Sequence, residues 1–230
     1  MYKAVIFDMD GVLINSEIEY LKLWMKFYEE FGAPADLEEL RYLAGSPHSY
    51  ENELICRKLC VDMPTALKLK EHFFRQHPVD YKSIKKDYVN ELLEYVKRRG
   101  IVAALASSST TENIKTVLSQ CGIRQYFSML ISGEMFTRTK PDPEIYEYTA
   151  GRLGFPKEEI LVVEDSDYGI RAAKAAGLST AAVNDPILKF DNQEADYIVD
   201  SLRGVERILE DDWLHCQRSR LVCERDYRGA

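Results

Sequence analysis

The sequence predicts an α/β protein with a mostly parallel sheet and an all-α insertion after the first strand. From residue 88 onward, apolar strand patterns alternate with helical patterns, which is typical of a parallel sheet covered on both faces. One earlier strand is predicted at residues 5–7, and helical patterns occupy residues 15–84 between the two regions. The predicted chain order is therefore one strand, a helical insertion, and then the rest of the sheet.

The first strand leads directly into two carboxylates. Residues 5–7 form a short apolar run typical of a buried strand, and Gly11 allows the backbone to turn after it. Asp8 and Asp10 are two positions apart, so their side chains point to the same side of an extended chain. Asp8 is ionised at neutral pH and can act as a nucleophile without an activating base, while Asp10 can transfer a proton. An acidic turn without catalytic role is the competing interpretation of this segment.

The insertion is predicted to be a bundle of short helices. Ser16 is placed to cap the first helix, which carries an apolar stripe at helical spacing and ends at Gly32. Further helical patterns cover residues 37–43, 50–60 and 65–74.

The remaining elements complete the sheet. The predicted strands are 101–106, 129–132, 160–163, 180–183 and 197–199, and the predicted helices are 88–99, 112–121, 143–153, 168–176 and 202–209. The predicted domains are a core formed by residues 1–14 and 85–210, a helical domain at 15–84, and a C-terminal extension at 211–230, either an accessory helix or a loose tail. Ligands of such sheets bind outside the carboxyl ends of the strands, so the residues there are candidates for function.

Hydroxyl side chains follow the strand at residues 101–106. Ser109 and Glu112 predict a capping box for the next helix, which leaves Ser107 and Ser108 available to bind a phosphate at the helix start. Helix capping alone is the competing interpretation of this cluster.

Lys140 stands just ahead of another predicted helix, with Asp142 as N-cap and Pro143 at the first helical position. Because Pro141 favours an extended conformation at Lys140, the ammonium can be directed at a phosphate oxygen or at a nucleophilic carboxylate. A solvated lysine in a loop is the alternative.

Acids also follow the strand at residues 160–163. Glu164 and Asp165, placed beside Asp8, would form a site for a divalent cation such as Mg²⁺, which prefers oxygen ligands. Capping of the following helix is the alternative role for these acids, and Asp167 is expected to do only that.

Composition limits the partners. With 30 Lys and Arg residues against 38 Asp and Glu residues, the net charge is −8, which argues against nucleic acid as a partner. No apolar stretch approaches the length of a membrane span, so no membrane partner and a cytoplasmic location are expected. The 5 cysteines are scattered and predict neither a disulfide framework nor a zinc site. The chain is expected to be a monomer.

The motifs at these four strand ends, in this order, resemble those of the haloacid dehalogenase superfamily, over about residues 1–210. They read Asp8-Met9-Asp10-Gly11-Val12, Ala106-Ser107-Ser108, Lys140-Pro141-Asp142-Pro143 and Val163-Glu164-Asp165-Ser166-Asp167-Tyr168-Gly169. The resemblance implies a Rossmann-like three-layer core with a helical cap. It points to the branch of β-phosphoglucomutase and sugar-phosphate phosphatases, since the dehalogenase and phosphonatase branches lack an acid at the position of Asp10.

The resemblance also implies roles for individual residues. Asp8 would be the nucleophile that forms an aspartyl-phosphate, and Asp10 the general acid and then base. Ser107 and Lys140 would bind the transferring phosphoryl group.

The same resemblance implies Mg²⁺ as cofactor. Its ligands would be Asp8, the backbone carbonyl of Asp10 and Asp165, with Glu164 bound directly or through water. The helical cap would close over the substrate and exclude water.

The cap residues favour a phosphatase over a mutase. Where β-phosphoglucomutases carry a histidine on the first cap helix this sequence has Tyr20, and where they carry an arginine it has His48. An arginine suits the second phosphate that a mutase must hold. The predicted function is therefore hydrolysis of a small phosphorylated metabolite such as a sugar phosphate. A phosphosugar mutase is the alternative, and a non-catalytic phospholigand-binding protein is less favoured.

Overall fold

The computed structural model describes residues 1–43, 48–185, 187–188 and 191–227, without the side chains of residues 48–49 and 217–227. The chain forms two compact units. One unit, the core unit, consists of Met1–Ile14 and Lys85–Ala230, and the other, the helical unit, consists of Asn15–Ile84.

A six-stranded sheet forms the centre of the core unit. Its strands are β1 (Ala4–Phe7), β2 (Val102–Ser107), β3 (Phe127–Ser132), β4 (Ile160–Glu164), β5 (Ser179–Val183) and β6 (Tyr197–Val199). They pair in the order β3-β2-β1-β4-β5-β6, and every pair is parallel. The prediction of an α/β fold with a mostly parallel sheet is confirmed. Because β1 lies between β2 and β4, the segments that follow these three strands lie side by side at one edge of the sheet.

Some helices belong to the core unit with this sheet, and others form the helical unit. In chain order they are α1 (Ser16–Glu30), α2 (Leu37–Leu40), α3 (His48–Leu59), α4 (Met63–Gln76), α5 (Val89–Arg98), α6 (Thr111–Gln120), α7 (Glu144–Leu153), α8 (Asp167–Ala175) and α9 (Leu202–Tyr227). On one face of the sheet, Ile6 and Ala104 are buried in a cluster with Tyr146 of α7 and Ala172 of α8. All four residues of β1 are buried, which explains its continuous apolar pattern. Within the part of the chain that is described, no helix has the length and apolar character needed to cross a membrane.

The last helix differs most from its predicted bounds. The apolar pattern predicts an end at residue 209, but α9 continues to Tyr227. The Asp212 carboxylate accepts a hydrogen bond of 2.6 Å from the Tyr2 amide, and the Arg99 guanidinium lies 3.9 Å from the centre of the Trp213 ring. These contacts link α9 to distant segments, and local periodicity does not report them.

An aromatic cluster holds the helical unit together. Trp24 and Phe27 of α1 face Phe74 and Phe73 of α4, with ring centres 4.9 Å and 5.3 Å apart.

Helix α1 starts at Ser16 rather than after it, because Asn15 occupies the N-cap position, so the prediction of Ser16 as the cap is wrong.

Candidate active site

The carboxyl ends of β1 and β4 come into direct contact. Gly11 has a φ of +75°, and a Cβ atom at this position would lie 1.8 Å from Asp165 Oδ2. Any side chain at residue 11 would therefore displace the Asp165 carboxylate. Glycine is required here both for the left-handed backbone conformation and for the close approach of the acid. The two acidic motifs predicted from sequence are thus brought to one place.

Lys140 bridges two of these acids. Its Nζ atom lies 2.6 Å from Asp8 Oδ1 and 2.7 Å from Glu164 Oε1. All three side chains are almost completely buried. Buried charges are tolerated when they are paired and hydrogen-bonded, and this arrangement gives Asp8 a fixed cation on one side.

Glu164 accepts hydrogen bonds on both oxygens. Oε1 receives the Lys140 ammonium and the Tyr146 hydroxyl, the latter at 2.5 Å, and Oε2 receives the Asp165 amide at 3.0 Å and the Ser166 hydroxyl at 3.2 Å. A Cβ on Gly169 would lie 1.8 Å from Oε1, so the glycine makes room for this carboxylate. Glu164 is thereby held as the anchor of Lys140.

Asp10 is bound by two serines at the end of β2. The Ser109 hydroxyl donates to Asp10 Oδ2 at 2.9 Å, and the Ser107 hydroxyl donates to the same oxygen at 3.3 Å. Ser107 is fully buried, whereas Ser108 is exposed. The two predicted phosphate-binding serines therefore have different surroundings, and only Ser107 contacts a predicted catalytic acid.

Two of the predicted caps at the strand ends are displaced by one residue, and a third is present. Thr110, not Ser109, caps α6, since its side chain accepts from the Asn113 amide at 3.2 Å. Ser166, not Asp167, caps α8. Asp142 makes the predicted side-chain cap of α7, since its Oδ1 accepts from the Glu144 amide at 3.1 Å, with Pro143 between the two residues. The Ser109 hydroxyl instead donates to Asp10, which lies 99 residues away in the sequence.

Burial and charge set the ionisation of the buried groups. Burial raises the pKa of Asp8, and the neighbouring Glu164 and Asp10 carboxylates raise it further, against the lowering effect of Lys140. Burial raises the pKa of Glu164, but the charge of the Lys140 ammonium and the hydrogen bonds that Glu164 accepts outweigh burial, so this pKa is lowered. The Lys140 pKa is raised, because Asp8 and Glu164 outweigh burial. One buried ammonium thus faces the carboxylates of Asp8, Asp10 and Glu164, and further positive charge near Asp8 would favour its ionised form.

The donor set at the strand ends fits a divalent cation. Asp8, Glu164 and Asp165 each offer a carboxylate oxygen, and these oxygens lie within 4.8 Å of one another. Buried carboxylate oxygens are the ligands that Mg²⁺ prefers. Glu164 also accepts protein hydrogen bonds on both oxygens, so a cation there would share this carboxylate with Lys140 and Ser166.

Two predicted residues belong to the helical unit. The Tyr20 hydroxyl lies 3.0 Å from the Tyr81 hydroxyl of the same unit. His48 is the first residue of α3, and its side chain lies outside the described residues.

Sequence reasoning did not select two residues that contact the site, Tyr146 and Ser109. In the sequence, Tyr146 fits the apolar stripe of α7. The available signal for a polar partner is its hydroxyl, in a segment that closely follows Lys140. Ser109 fits a predicted helix cap, and the neighbouring Thr110, a residue type that also caps helices, is the signal that Ser109 can have another role.

The fold and the site define an α/β enzyme whose buried carboxylates and lysine meet at the carboxyl ends of a parallel sheet. Residues 5–183 match the family of haloacid dehalogenase-like hydrolases, and the chain belongs to that family. The predicted superfamily is confirmed.

Relatives of known name agree with this class. The chain is 32% identical over 177 residues to the phosphorylated carbohydrates phosphatase of Thermotoga maritima. The match covers 76% of this chain and 82% of the relative. It is 29% identical over 189 residues to the fructose-1-phosphate phosphatase of Escherichia coli K12, covering 79% and 96% of the two chains. These names bear out the predicted enzyme class, a phosphoric monoester hydrolase.

A solved structure supports the predicted branch. The crystal structure of a protein assigned as a β-phosphoglucomutase from Thermotoga maritima is similar with a TM-score of 0.77 and 28% identity, and the match covers 92% of this chain and 99% of that one. The prediction of a β-phosphoglucomutase-like branch is therefore confirmed.

The Tyr146 hydroxyl is expected to stabilise the core unit through Glu164. Tyr146→Phe removes one hydrogen bond to a buried carboxylate and keeps the ring, so we expect unfolding to require about 1.5–3 kcal/mol less free energy. Urea denaturation followed by circular dichroism measures this difference. Tyr148→Phe is the matched control, because Tyr148 is exposed on the same helix. Equal stability of the two variants would contradict the assigned hydrogen bond.

Proposed function

We propose that the protein is a Mg²⁺-dependent phosphatase that hydrolyses a small phosphorylated metabolite, a sugar phosphate, through an aspartyl-phosphate on Asp8. The observation that carries this proposal is the buried contact of Asp8 with Lys140, next to Asp165. A nucleophilic carboxylate beside a fixed cation and a second acid can accept a phosphoryl group, because positioning and charge neutralisation account for most of phosphoryl-transfer catalysis.

The residues divide the reaction between them. A carboxylate oxygen of Asp8 attacks phosphorus, while Asp10 gives a proton to the departing ester oxygen, so that the sugar leaves as an alcohol. Lys140 binds the phosphoryl oxygens during transfer, and Ser107 joins it when its hydroxyl hydrogen turns from Asp10 to the phosphate. Asp10 then takes a proton from water, which attacks the phosphorus of the aspartyl-phosphate and releases inorganic phosphate with Asp8 restored.

The proposed cofactor is Mg²⁺, held by Asp8, Asp165 and the backbone carbonyl of Asp10. When bound, it would supply the positive charge that offsets repulsion between Asp8 and the substrate phosphate. The three buried carboxylates of the site support this part of the proposal.

The phosphatase names of two relatives support sugar phosphates as substrates. The similarity to a protein assigned as a β-phosphoglucomutase favours a phosphosugar mutase as second candidate, since a mutase would use the same core residues. We propose Tyr20 and His48 as residues that distinguish the two activities, because neither supplies the arginine fork that suits a second phosphate. The monomeric state and the cytoplasmic location stay predictions.

Two assays test this proposal. Release of inorganic phosphate is measured with a panel of hexose and pentose phosphates in the presence of Mg²⁺. In a second assay, a hexose 1-phosphate is supplied with a catalytic amount of sugar bisphosphate and followed by phosphorus NMR. Inorganic phosphate is the expected product of both. Formation of a hexose 6-phosphate would establish the mutase instead.

Removal of divalent cations is expected to abolish the activity. Treatment with EDTA should reduce phosphate release by at least about 10²-fold, because Lys140 alone does not neutralise the carboxylates around Asp8. Titration with Mg²⁺ should restore it. Direct binding of Mg²⁺, measured by calorimetry, should weaken in Asp165→Asn and stay unchanged in Asp191→Asn, an exposed control. Activity that is insensitive to EDTA would refute the assigned cofactor.

A further inference from the structure

Two chains of hydrogen bonds converge on Asp10 Oδ2. In one, the Ser109 amide donates to Ser107 Oγ at 3.1 Å, and the Ser107 hydroxyl donates to the carboxylate at 3.3 Å. In the other, the Asn113 side-chain amide donates to Ser109 Oγ at 3.2 Å, and the Ser109 hydroxyl donates to the same oxygen at 2.9 Å. The second chain makes the closer contact with the carboxylate, and it begins at Asn113.

The nitrogen at the head of each chain sets its direction. A serine hydroxyl has one hydrogen, and an amide N–H can only donate. Because Ser109 Oγ accepts from Asn113, its own hydrogen is directed toward Asp10. Donation into the hydroxyl oxygen also polarises it, which strengthens the bond that it donates to the carboxylate.

The Asn113 side chain has a rigid support. Its backbone amide donates to Thr110 Oγ1, the N-cap of α6, at 3.2 Å, and the side chain is half-buried. From the third position of the helix, the side chain reaches back to Ser109, four residues earlier. The first turn of α6 therefore fixes the amide relative to the end of β2. A catalytic group is held most precisely when its supporting residues lie on regular elements.

We propose that Asn113 is a positioning residue that acts through Ser109 to hold the Asp10 carboxylate in the orientation that proton transfer to the leaving group requires. This inference rests on the proposed phosphatase function, in which Asp10 protonates the departing oxygen. The side-chain amide of Asn113 contacts Ser109, so its effect reaches the reaction through the orientation of Asp10.

Substrates with different leaving groups distinguish this positioning role of Asn113 from a general structural role. The alkoxide of a sugar phosphate needs a proton as it departs, whereas the phenolate of p-nitrophenyl phosphate leaves without one. In Asn113→Ala we expect kcat/KM to fall by about 10–100-fold for the sugar phosphate that the wild-type protein hydrolyses fastest, and by less than about 3-fold for p-nitrophenyl phosphate. Asn113→Asp should behave in the same way, because a carboxylate accepts the Ser109 hydrogen and turns it away from Asp10.

A double-mutant cycle tests the route through Asp10. In the Asp10→Asn background, Asn113→Ala should cause no further loss of kcat/KM for either substrate, because the group that it positions has already been removed. Lys115→Ala, an exposed change on the same helix, is the control and should leave both substrates unaffected. Thermal melts of all variants report whether they are folded, and Asn113→Asp keeps the side-chain shape should Asn113→Ala unfold.

The outcomes distinguish the inference from the function beneath it. Equal losses on both substrates, or a loss that persists in the Asp10→Asn background, would overturn the role of Asn113 and leave the phosphatase proposal intact. Hydrolysis of the aryl phosphate with no turnover of any sugar phosphate in the panel would also overturn it, since Asp10 then protonates no alkoxide. Failure of the wild-type protein to hydrolyse the aryl phosphate and every sugar phosphate in the panel would overturn both proposals.

Discussion

Asp8→Asn is expected to abolish phosphate release, with a fall in kcat of at least about 10³-fold. The amide has nearly the shape of the carboxylate but carries no charge, so it cannot attack phosphorus. The protein should stay folded, because the change removes a buried charge and Lys140 keeps its contact of 2.7 Å with Glu164. Steady-state kinetics on the sugar phosphate that is hydrolysed fastest measures the loss.

A covalent intermediate gives a second measurement of the same prediction. Acid quenching during turnover should trap a phosphoryl adduct on Asp8 in the wild-type protein, detectable by mass spectrometry of the peptide. Asp167→Asn is the matched control, since the Asp167 carboxylate pairs with Arg171 at 2.9 Å on the surface of α8. That variant should retain both activity and adduct. Substantial turnover by Asp8→Asn would rule out Asp8 as the nucleophile.

Lys140→Met is expected to have the second largest effect, on stability and activity together. It leaves Asp8 and Glu164 buried without their shared cation, which should lower the free energy of unfolding by about 3–5 kcal/mol in the protein without Mg²⁺. Loss of the ammonium that binds the phosphoryl group should reduce kcat by about 10²–10³-fold. Urea denaturation and steady-state kinetics measure the two effects separately.

The control for Lys140 is a lysine in an exposed ion pair. Lys174 Nζ lies 2.6 Å from Asp196 Oδ1, the same distance as in the Lys140–Asp8 pair, but the two side chains are 33% and 38% exposed. Lys174→Met should cost less than about 1 kcal/mol, because solvent screens an exposed pair. A similar loss of stability in the two variants would show that burial does not increase the contribution of the Lys140 pair to the free energy of unfolding.

The predicted fold came from local patterns that burial imposes. A central parallel strand such as β1 is buried along its whole length and so reads as a continuous apolar run, while the residues that follow it are free to be polar. Since parallel strands end at the same edge, Asp8, Lys140 and Asp165 could be expected close together from their positions after strands or in adjoining loops. Which strand ends are direct neighbours depends on the order of strands in the sheet, where β1 lies between β2 and β4.

Other features depend on contacts between distant segments. The sequence offers two residues that can cap α6: Ser109, with Glu112 three residues later as in a capping box, and Thr110. In the structure Thr110 is the cap, and the Ser109 hydroxyl donates to Asp10, a partner that no local pattern indicates.

The sequence by itself determined the parallel sheet, the helical insertion and the acids and lysine at the strand ends, because periodicity and chain order report which faces are buried and where strands stop. Tertiary structure alone decided that Tyr146 anchors Glu164, that Ser109 binds Asp10 and that α9 runs past residue 209. Each of these depends on a hydrogen bond or ring contact whose partner is far away in the chain or hidden in an apolar stripe. Such partners are selected only when packing brings the segments together.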